Sequence, residues 1–122
     1  MIGYTTLGTN DLEAATAFYD ALFADMGYKK IISNDRLVLW SSAAGAAMLG
    51  LIKPFDGEVA TVGNGTMVAI KVDSGETVAA LHAKAISLGA KDEGDVGIRG
   101  GNMTFGYVRD PDGNKLAFFA TA

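Results

Sequence analysis

The sequence contains no cysteine, two prolines and a single histidine among its 122 residues. The absence of cysteine excludes disulfide bonds, thiolate metal ligands and a cysteine nucleophile. No apolar run approaches the roughly 20 residues that a membrane-spanning helix needs. The N-terminus also lacks a basic segment followed by an apolar one, which would mark a secretory signal. We therefore expect a cytoplasmic protein that does not bind membranes.

Clustered basic charge is missing as well. Ten Lys and Arg residues stand against fourteen Asp and Glu residues, which gives a net charge of −4, and only Lys29 and Lys30 are adjacent. Nucleic-acid backbones are bound by grouped basic side chains. The sequence therefore argues against a nucleic-acid partner, and its length favours one compact domain.

The first half shows the element order βαβββ. Residues 2–7 are rich in β-branched and aromatic residues, which predicts a strand. Asn10 is placed to cap a helix, with Glu13 as its capping-box partner, and Gly27 is placed to end that helix in a left-handed conformation. Three further strands are predicted over residues 28–33, 37–42 and 46–53.

The second half repeats this order of elements. Residues 54–65 are rich in glycine and poor in large apolar side chains, so we expect them to link a first module, residues 1–53, to a second, residues 66–122. Ser74 is placed to cap the second helix and Gly89 to end it. The predicted strands cover residues 66–72, 91–95, 103–109 and 115–120.

The last two predicted strands flank the sequence Asp110-Pro111-Asp112-Gly113. Two aspartates so close together suggest a catalytic carboxylate pair. However, Asp at the first position, Pro at the second and Gly at the fourth are also the residues that a type I turn favours. We therefore interpret both aspartates as turn residues.

Four segments together resemble the vicinal oxygen chelate superfamily, which includes glyoxalases, bleomycin resistance proteins and extradiol dioxygenases. They are residues 7–12 (LGTNDL) before a helix with Phe18 and Tyr19, residues 66–70 (TMVAI), residues 81–90 (LHAKAISLGA) and residues 108–114 (VRDPDGN). The resemblance implies an α+β fold in which two βαβββ modules form a curved mixed-sheet cup. It also implies a homodimer.

The resemblance further implies four positions at which metal-dependent members hold a divalent ion. In this sequence they fall on Tyr4, Gly50, Met67 and Ala117. Glycine and alanine have no donor atom in their side chains, and a thioether is a poor ligand for Mg²⁺, Mn²⁺, Zn²⁺ or Fe²⁺. We therefore expect no metal and no other cofactor.

Side chains near these positions are the candidates for binding a small molecule. Tyr4 and Met67 would face the cup, Met48 would share a face with Gly50, and Phe119 would share one with Ala117. Trp40 could stack on a ligand or cover an interface, and Arg99 could contact an anion from a mobile, glycine-rich lid. The full set of candidate binding residues is Tyr4, Trp40, Met48, Gly50, Met67, Arg99, Phe105, Ala117 and Phe119.

The leading hypothesis is a metal-free member that binds a small apolar or aromatic molecule. One alternative is a metal-dependent lyase, isomerase or dioxygenase with ligands not recognised here, among which Tyr4 or His82 would be expected. His82 lies on one face of the predicted second helix with apolar neighbours, which favours a packing role. The other alternative is an antibiotic-sequestering protein, for which a ligand contact at Trp40 would be expected.

Overall fold

The computed structural model describes residues 1–121. The chain divides into two compact units, Met1–Thr61 and a second one that begins at Val62. The boundary between the two units falls inside the segment that was expected to link the modules. The last residue of the predicted second module, 66–122, lies outside the described residues. Each unit has the order βαβββ and contains one mixed sheet of four strands. The predicted α+β architecture of two such modules is confirmed.

The first unit contains one helix and four strands. Its sheet has the order β1-β4-β3-β2, in which β1 runs parallel to β4 and the other pairs are antiparallel. A 3₁₀ turn, Ala24–Met26, follows the helix and ends at Gly27, whose φ of 72° is left-handed. The elements are β1 (Tyr4–Gly8), α1 (Leu12–Phe23), β2 (Lys29–Ser33), β3 (Leu37–Ser41) and β4 (Met48–Ile52).

The cap of α1 differs from the prediction by one residue. Asp11, not Asn10, accepts a hydrogen bond from the backbone N–H of Ala14 at 3.0 Å. The side chain of Asn10 is used elsewhere, because its amide donates to the Ala60 carbonyl and its oxygen accepts from the Ala60 N–H. Asn10 therefore ties the end of the first unit to the start of α1.

The second unit has the same layout. Its sheet has the order β5-β8-β7-β6, with β5 parallel to β8. Ser74 caps the helix by accepting from the Thr77 N–H at 3.1 Å, and Gly89 follows the helix with a φ of 107°, both as predicted. The elements are β5 (Val68–Lys71), α2 (Gly75–Ser87), β6 (Lys91–Arg99), β7 (Met103–Arg109) and β8 (Lys115–Thr121).

The glycine-rich segment from Gly94 to Gly101 is mostly strand, whereas the sequence suggested a loop from which Arg99 could act as part of a lid. Strand β6 continues to Arg99, and its register against β7 shifts near Gly94. A Cβ atom at Gly94 would come within 2.8 Å of Cδ2 of Tyr107, so glycine lets the strand pass that ring. The turn into β7 covers residues 100–102, and its two glycines, Gly100 and Gly101, both have positive φ.

The turn between β7 and β8 is built around Asp110, as the sequence predicted. Asp110 is buried, and its Oδ1 atom accepts from the backbone N–H groups of Asp112 and Asn114 at 3.0 and 2.9 Å. The Gly113 N–H closes the turn on the Asp110 carbonyl at 2.8 Å. Asp110 is therefore occupied in holding the hairpin.

Among the described residues, no helix has both the length and the apolar character needed to cross a membrane.

Candidate functional site

The two faces of the second unit's sheet differ sharply in composition. One face packs against α2. His82 of α2 lies so close to Gly106 of β7, and Thr104 of β7 so close to Gly75 of α2, that a Cβ atom added at either glycine would contact it. Alternation along β7 and β8 places the even-numbered residues on this side. They form the apolar core of the unit and are almost fully buried: Val108, Leu116, Phe118 and Ala120.

The opposite face carries three aromatic rings in a row, formed by Phe119, Phe105 and Tyr107. The ring centroids of Phe105 and Phe119 are 5.2 Å apart and their planes differ by 13°. The rings of Phe105 and Tyr107 are 5.6 Å apart and their planes differ by 10°. We call these three residues the aromatic strip. All three are half-buried, and the fully buried Ala117 lies opposite Tyr107 in the strand pairing.

Two cationic groups lie against the Tyr107 end of the strip. The guanidinium carbon of Arg99 and the Nζ atom of Lys115 are each 5.2 Å from the centroid of the Tyr107 ring. Such distances allow a cation to interact favourably with the negative face of an aromatic ring. The strip therefore combines a half-buried aromatic surface with local positive charge.

Arg99 is held in place by the backbone and is not free to move as part of a lid. Its Nη1 atom donates to the carbonyls of Gly97 and Phe105, both at 3.2 Å, and its Nη2 atom donates to the Asp95 carbonyl at 2.9 Å. These bonds fix the guanidinium over Tyr107. Arg99 contributes a fixed positive charge to the strip.

His82 lies on the other side of the sheet, away from the strip. Its Nε2 atom is 3.1 Å from Oδ1 of Asp92, and its side chain is only 13% exposed. The pKa of Asp92 is lowered first by the hydrogen bond from the Gly94 N–H and also by its interaction with His82. The packing role predicted for His82 agrees with this position between α2 and β6.

In the first unit, Tyr4, Met48 and Gly50 share the sheet face that does not contain Trp40. The pairing places Tyr4 opposite Met48, and Leu39 opposite Gly50. A cavity of about 330 Å³ lies at the edge of this face, with a mainly small and apolar lining. Its walls are formed by Gly3, Ile31, Ser41, Ala43, Ala44, Gly45, Ala46 and Met48.

Trp40 does not lie on the sheet face of Tyr4, Met48 and Gly50, so it cannot stack on a ligand there as one sequence-based hypothesis suggested. It is 2% exposed and packs beneath α1, with its ring 5.8 Å from those of Tyr19 and Phe23. Its Nε1–H donates to Oδ1 of Asp20 at 2.9 Å. Trp40 is therefore a core residue with a satisfied polar atom.

The residues at the four metal-ligand positions do not fit a divalent ion. Ala117 is fully buried and has only a methyl group, and a side chain at Gly50 would collide with Cδ2 of Leu39. Met67 precedes β5 and offers a thioether, which leaves the Tyr4 phenol as the sole oxygen donor. Within residues 1–121, no three His, Cys, Asp or Glu side chains are grouped as metal ligands.

Two residues of the site were missed by sequence analysis, Tyr107 and Lys115. Both have the strand parity of Phe105 and Ala117, so alternation along β7 and β8 could have added them. Of the nine candidates, the structure brings together four on one face of the second unit: Phe105, Ala117, Phe119 and Arg99. Tyr4, Met48 and Gly50 lie on the first unit, and Met67 is 40% exposed ahead of β5.

Comparison with known proteins gives a consistent result across the chain. A glyoxalase/bleomycin resistance protein from Albidiferax ferrireducens T118 is 32% identical, with a TM-score of 0.90, and the match covers 100% of this chain and 99% of that one. A glyoxalase-related enzyme from Fulvimarina pelagi is 24% identical, with a TM-score of 0.79 and coverage of 99% and 88%.

A lactoylglutathione lyase from Agrobacterium tumefaciens is also 24% identical, with a TM-score of 0.75 and coverage of 98% and 92%. At that level of identity the likeness concerns the fold. No curated protein sequence matches the chain. The profile of the Glyoxalase/Bleomycin resistance protein/Dioxygenase superfamily matches residues 1–118, and the chain belongs to that superfamily.

Proposed function

We propose that this protein binds a small aromatic molecule on the aromatic strip of its second unit, without a metal ion. The observation that carries the proposal is the near-parallel stacking of Phe119, Phe105 and Tyr107 on the sheet face opposite α2. Rings stacked at these distances turn their faces toward one another, so the strip presents half-buried ring edges and the outer faces of its end rings, against which a ligand ring can pack. Apolar surface of this kind is commonly found where ligands bind.

The chemistry of the metal-ligand positions supports a metal-free mode of binding. Metal-dependent chelation needs several donors around one ion, and here Leu39 fills the space beside Gly50 while Ala117 is enclosed. The name of the lactoylglutathione lyase from Agrobacterium tumefaciens describes that protein's activity. The residues of this chain favour binding over that kind of reaction.

The positive charge near Tyr107 weakens the antibiotic-sequestration alternative. A cationic glycopeptide would meet Arg99 and Lys115 at the strip. Trp40, the ligand contact expected under that alternative, lies in the core of the other unit. We keep the homodimer that the family resemblance implied as part of the proposal, and the molar mass in solution tests it.

The test is a titration of the full-length protein with 2-naphthamide, a neutral planar probe, followed by NMR of the backbone amides. We expect shifts concentrated in β7 and β8. Phe105→Leu and Phe119→Leu should each weaken binding by about tenfold, because they remove a stacking surface while keeping apolar volume. Addition of Mg²⁺ or Zn²⁺, or of a chelator, should leave the affinity unchanged.

The matched control is Phe55→Leu. Phe55 is 91% exposed on the first unit and has a cationic neighbour of its own, Arg36, at 5.3 Å from the ring centroid. This variant should bind 2-naphthamide as the parent does. Equal losses in all three variants, shifts confined to the first unit, or affinity that depends on an added metal would overturn the proposal.

A further inference from the structure

The basic residues of the second unit's sheet are sorted onto one face. Strand pairing places Lys71 opposite Phe119, Lys91 opposite Arg109, and Arg109 opposite Lys115. Directly paired residues share a face of a sheet. The face that carries the aromatic strip therefore holds every Lys and Arg of strands β5 to β8: Lys71, Lys91, Arg99, Arg109 and Lys115.

The acidic residues of the same strands do not balance this charge. Asp92 contacts His82 beneath α2 and accepts from the Gly94 N–H, and the Asp95 side chain lies close to Asp92. Within residues 1–121, the one carboxylate paired with a cation of the face that carries the strip is Glu93, which lies 3.1 Å from Nη2 of Arg109. The whole chain has a net charge of −4, so this positive face is a local departure from the rest of the molecule.

The cations nearest the strip differ in how many of their N–H donors are already hydrogen-bonded within the protein. The Nη atoms of Arg99 donate to three backbone carbonyls. Those of Arg109 donate to the Glu93 carboxylate and to the Gly113 carbonyl. Lys115 is half-buried beside Tyr107, and within residues 1–121 no carboxylate lies in ion-pair range of it. An ammonium group has three donors, which a cation–π contact leaves available.

We propose that the ligand is an aromatic anion and that Lys115 selects its charge; this inference rests on the proposed function. The pair Lys115 and Arg109 is the next pair on the same face after Ala117 and Tyr107. Two residues along a strand span about 6.6 Å, so a ring packed against the strip near Tyr107 would place a carboxylate or phosphate within reach of Lys115. Arg99, on β6, adds electrostatic attraction for the anion while it keeps its hydrogen bonds to the three backbone carbonyls.

A small anion fits this face better than a nucleic acid. Long-range repulsion from a chain of net charge −4 acts against a polyanion, whereas a single charged group responds mainly to the cations beside it. The strip is also limited to three rings, with Lys71 and Lys91 on the edge strands. We therefore assign the face to a single aromatic ring system that bears one anionic group.

The experiment compares 2-naphthoate, 2-naphthyl phosphate and 2-naphthamide by calorimetry on the full-length protein. We expect at least one of the two anions to bind about tenfold more tightly than the neutral amide, and the tighter one identifies the anionic group. Lys115→Met should abolish this preference, because it removes the charge but keeps an apolar stem beside Tyr107. Its affinity for 2-naphthamide should fall much less than its affinity for the preferred anion, so that the two probes then bind alike.

Lys84→Met on α2 is the matched control, since it removes one positive charge from the same unit outside the strip face. It should keep the preference for the anion. Equal binding of all three probes would overturn the charge inference but keep the proposed function, whereas no binding of any probe would overturn both. Displacement of 2-naphthoate by a short single-stranded oligonucleotide at lower concentration would assign the face to nucleic acid and overturn the inference.

Discussion

The Cδ2 atom of Leu39 occupies the space in which the Cβ atom of any side chain at Gly50 would have to lie. Leu39 and Gly50 are direct partners across β3 and β4, and both are buried. The Val38 carbonyl oxygen would also come within 3.0 Å of that Cβ atom. The space beside Gly50 is therefore already filled, and a side chain at that position would require Leu39 to shift.

Gly50→Ala should destabilise the protein by about 1–3 kcal/mol, because the added methyl group forces Leu39 and its strand to shift. In combination with Leu39→Ala, which vacates the space, the cost should be clearly less than the sum of the two single changes. Urea unfolding of the four proteins measures this coupling. Strict additivity would contradict the steric argument. Gly3→Ala serves as the control, since a Cβ atom there meets nothing within 4 Å.

The bond between Trp40 and Asp20 leads to a second prediction. Asp20→Ala leaves the indole N–H of a 2% exposed side chain without its partner, which should cost about 1–3 kcal/mol. Lys30→Ala removes the other partner of Asp20, at 2.9 Å. Because both ends of that ion pair are about 40% exposed, its loss should cost less than about 1 kcal/mol.

Unfolding in urea, followed by the fluorescence of Trp40 itself, separates the two effects. Trp40 is the single tryptophan of the chain, so the signal reports on the first unit. An Asp20→Ala variant no less stable than Lys30→Ala would show that Asp20 serves the ion pair and that the indole bond contributes little.

Asp92 gives a prediction about acid stability. Its pKa is lowered in the folded protein, chiefly by the Gly94 N–H, so the unfolded chain binds a proton more readily. The stabilisation of the folded state by ionised Asp92 is complete above the pKa of Asp in the unfolded chain, about 3.9. It is lost as the pH falls through the lower pKa of Asp92 in the folded protein. Asp92→Asn should therefore lower the melting temperature near neutral pH, and the difference from the parent should shrink below about pH 4.

Thermal melting of the parent and of Asp92→Asn between neutral and strongly acid pH provides the measurement. Glu58→Gln, which changes an exposed carboxylate of the first unit, is the control and should leave the pH dependence unaltered. A constant difference between Asp92→Asn and the parent at every pH would contradict the linkage.

The fold could be predicted from sequence because its signals are local. Ser74 acts through a side-chain hydrogen bond to the first turn of its own helix, Gly27 and Gly89 through left-handed backbone conformations, and Asp110 through its turn. The position of Trp40 could not be predicted in this way. Residues 37–40 are all apolar, so alternation does not reveal which face of β3 meets α1.

The candidate site was only partly visible for related reasons. The glycines near Arg99 suggested a loop, but they accommodate strand bulges and the passage of β6 over Tyr107. Stacking of Phe105 on both Tyr107 and Phe119 depends on the cross-strand register of β7 and β8, which sequence does not provide. The contact of Lys115 with Tyr107 depends on the same register, so the sequence alone does not single out this lysine.

The alternation along β7 and β8 separates two kinds of requirement within the same few residues. Even-numbered positions must satisfy the packing against α2, whereas odd-numbered ones meet only their neighbours on the other side of the sheet. Substitutions at the half-buried odd positions, Phe105, Tyr107 and Phe119, can therefore change this surface while leaving the hydrophobic core untouched. In an evolving family, such a sheet can acquire a new ligand without first having to acquire a new fold.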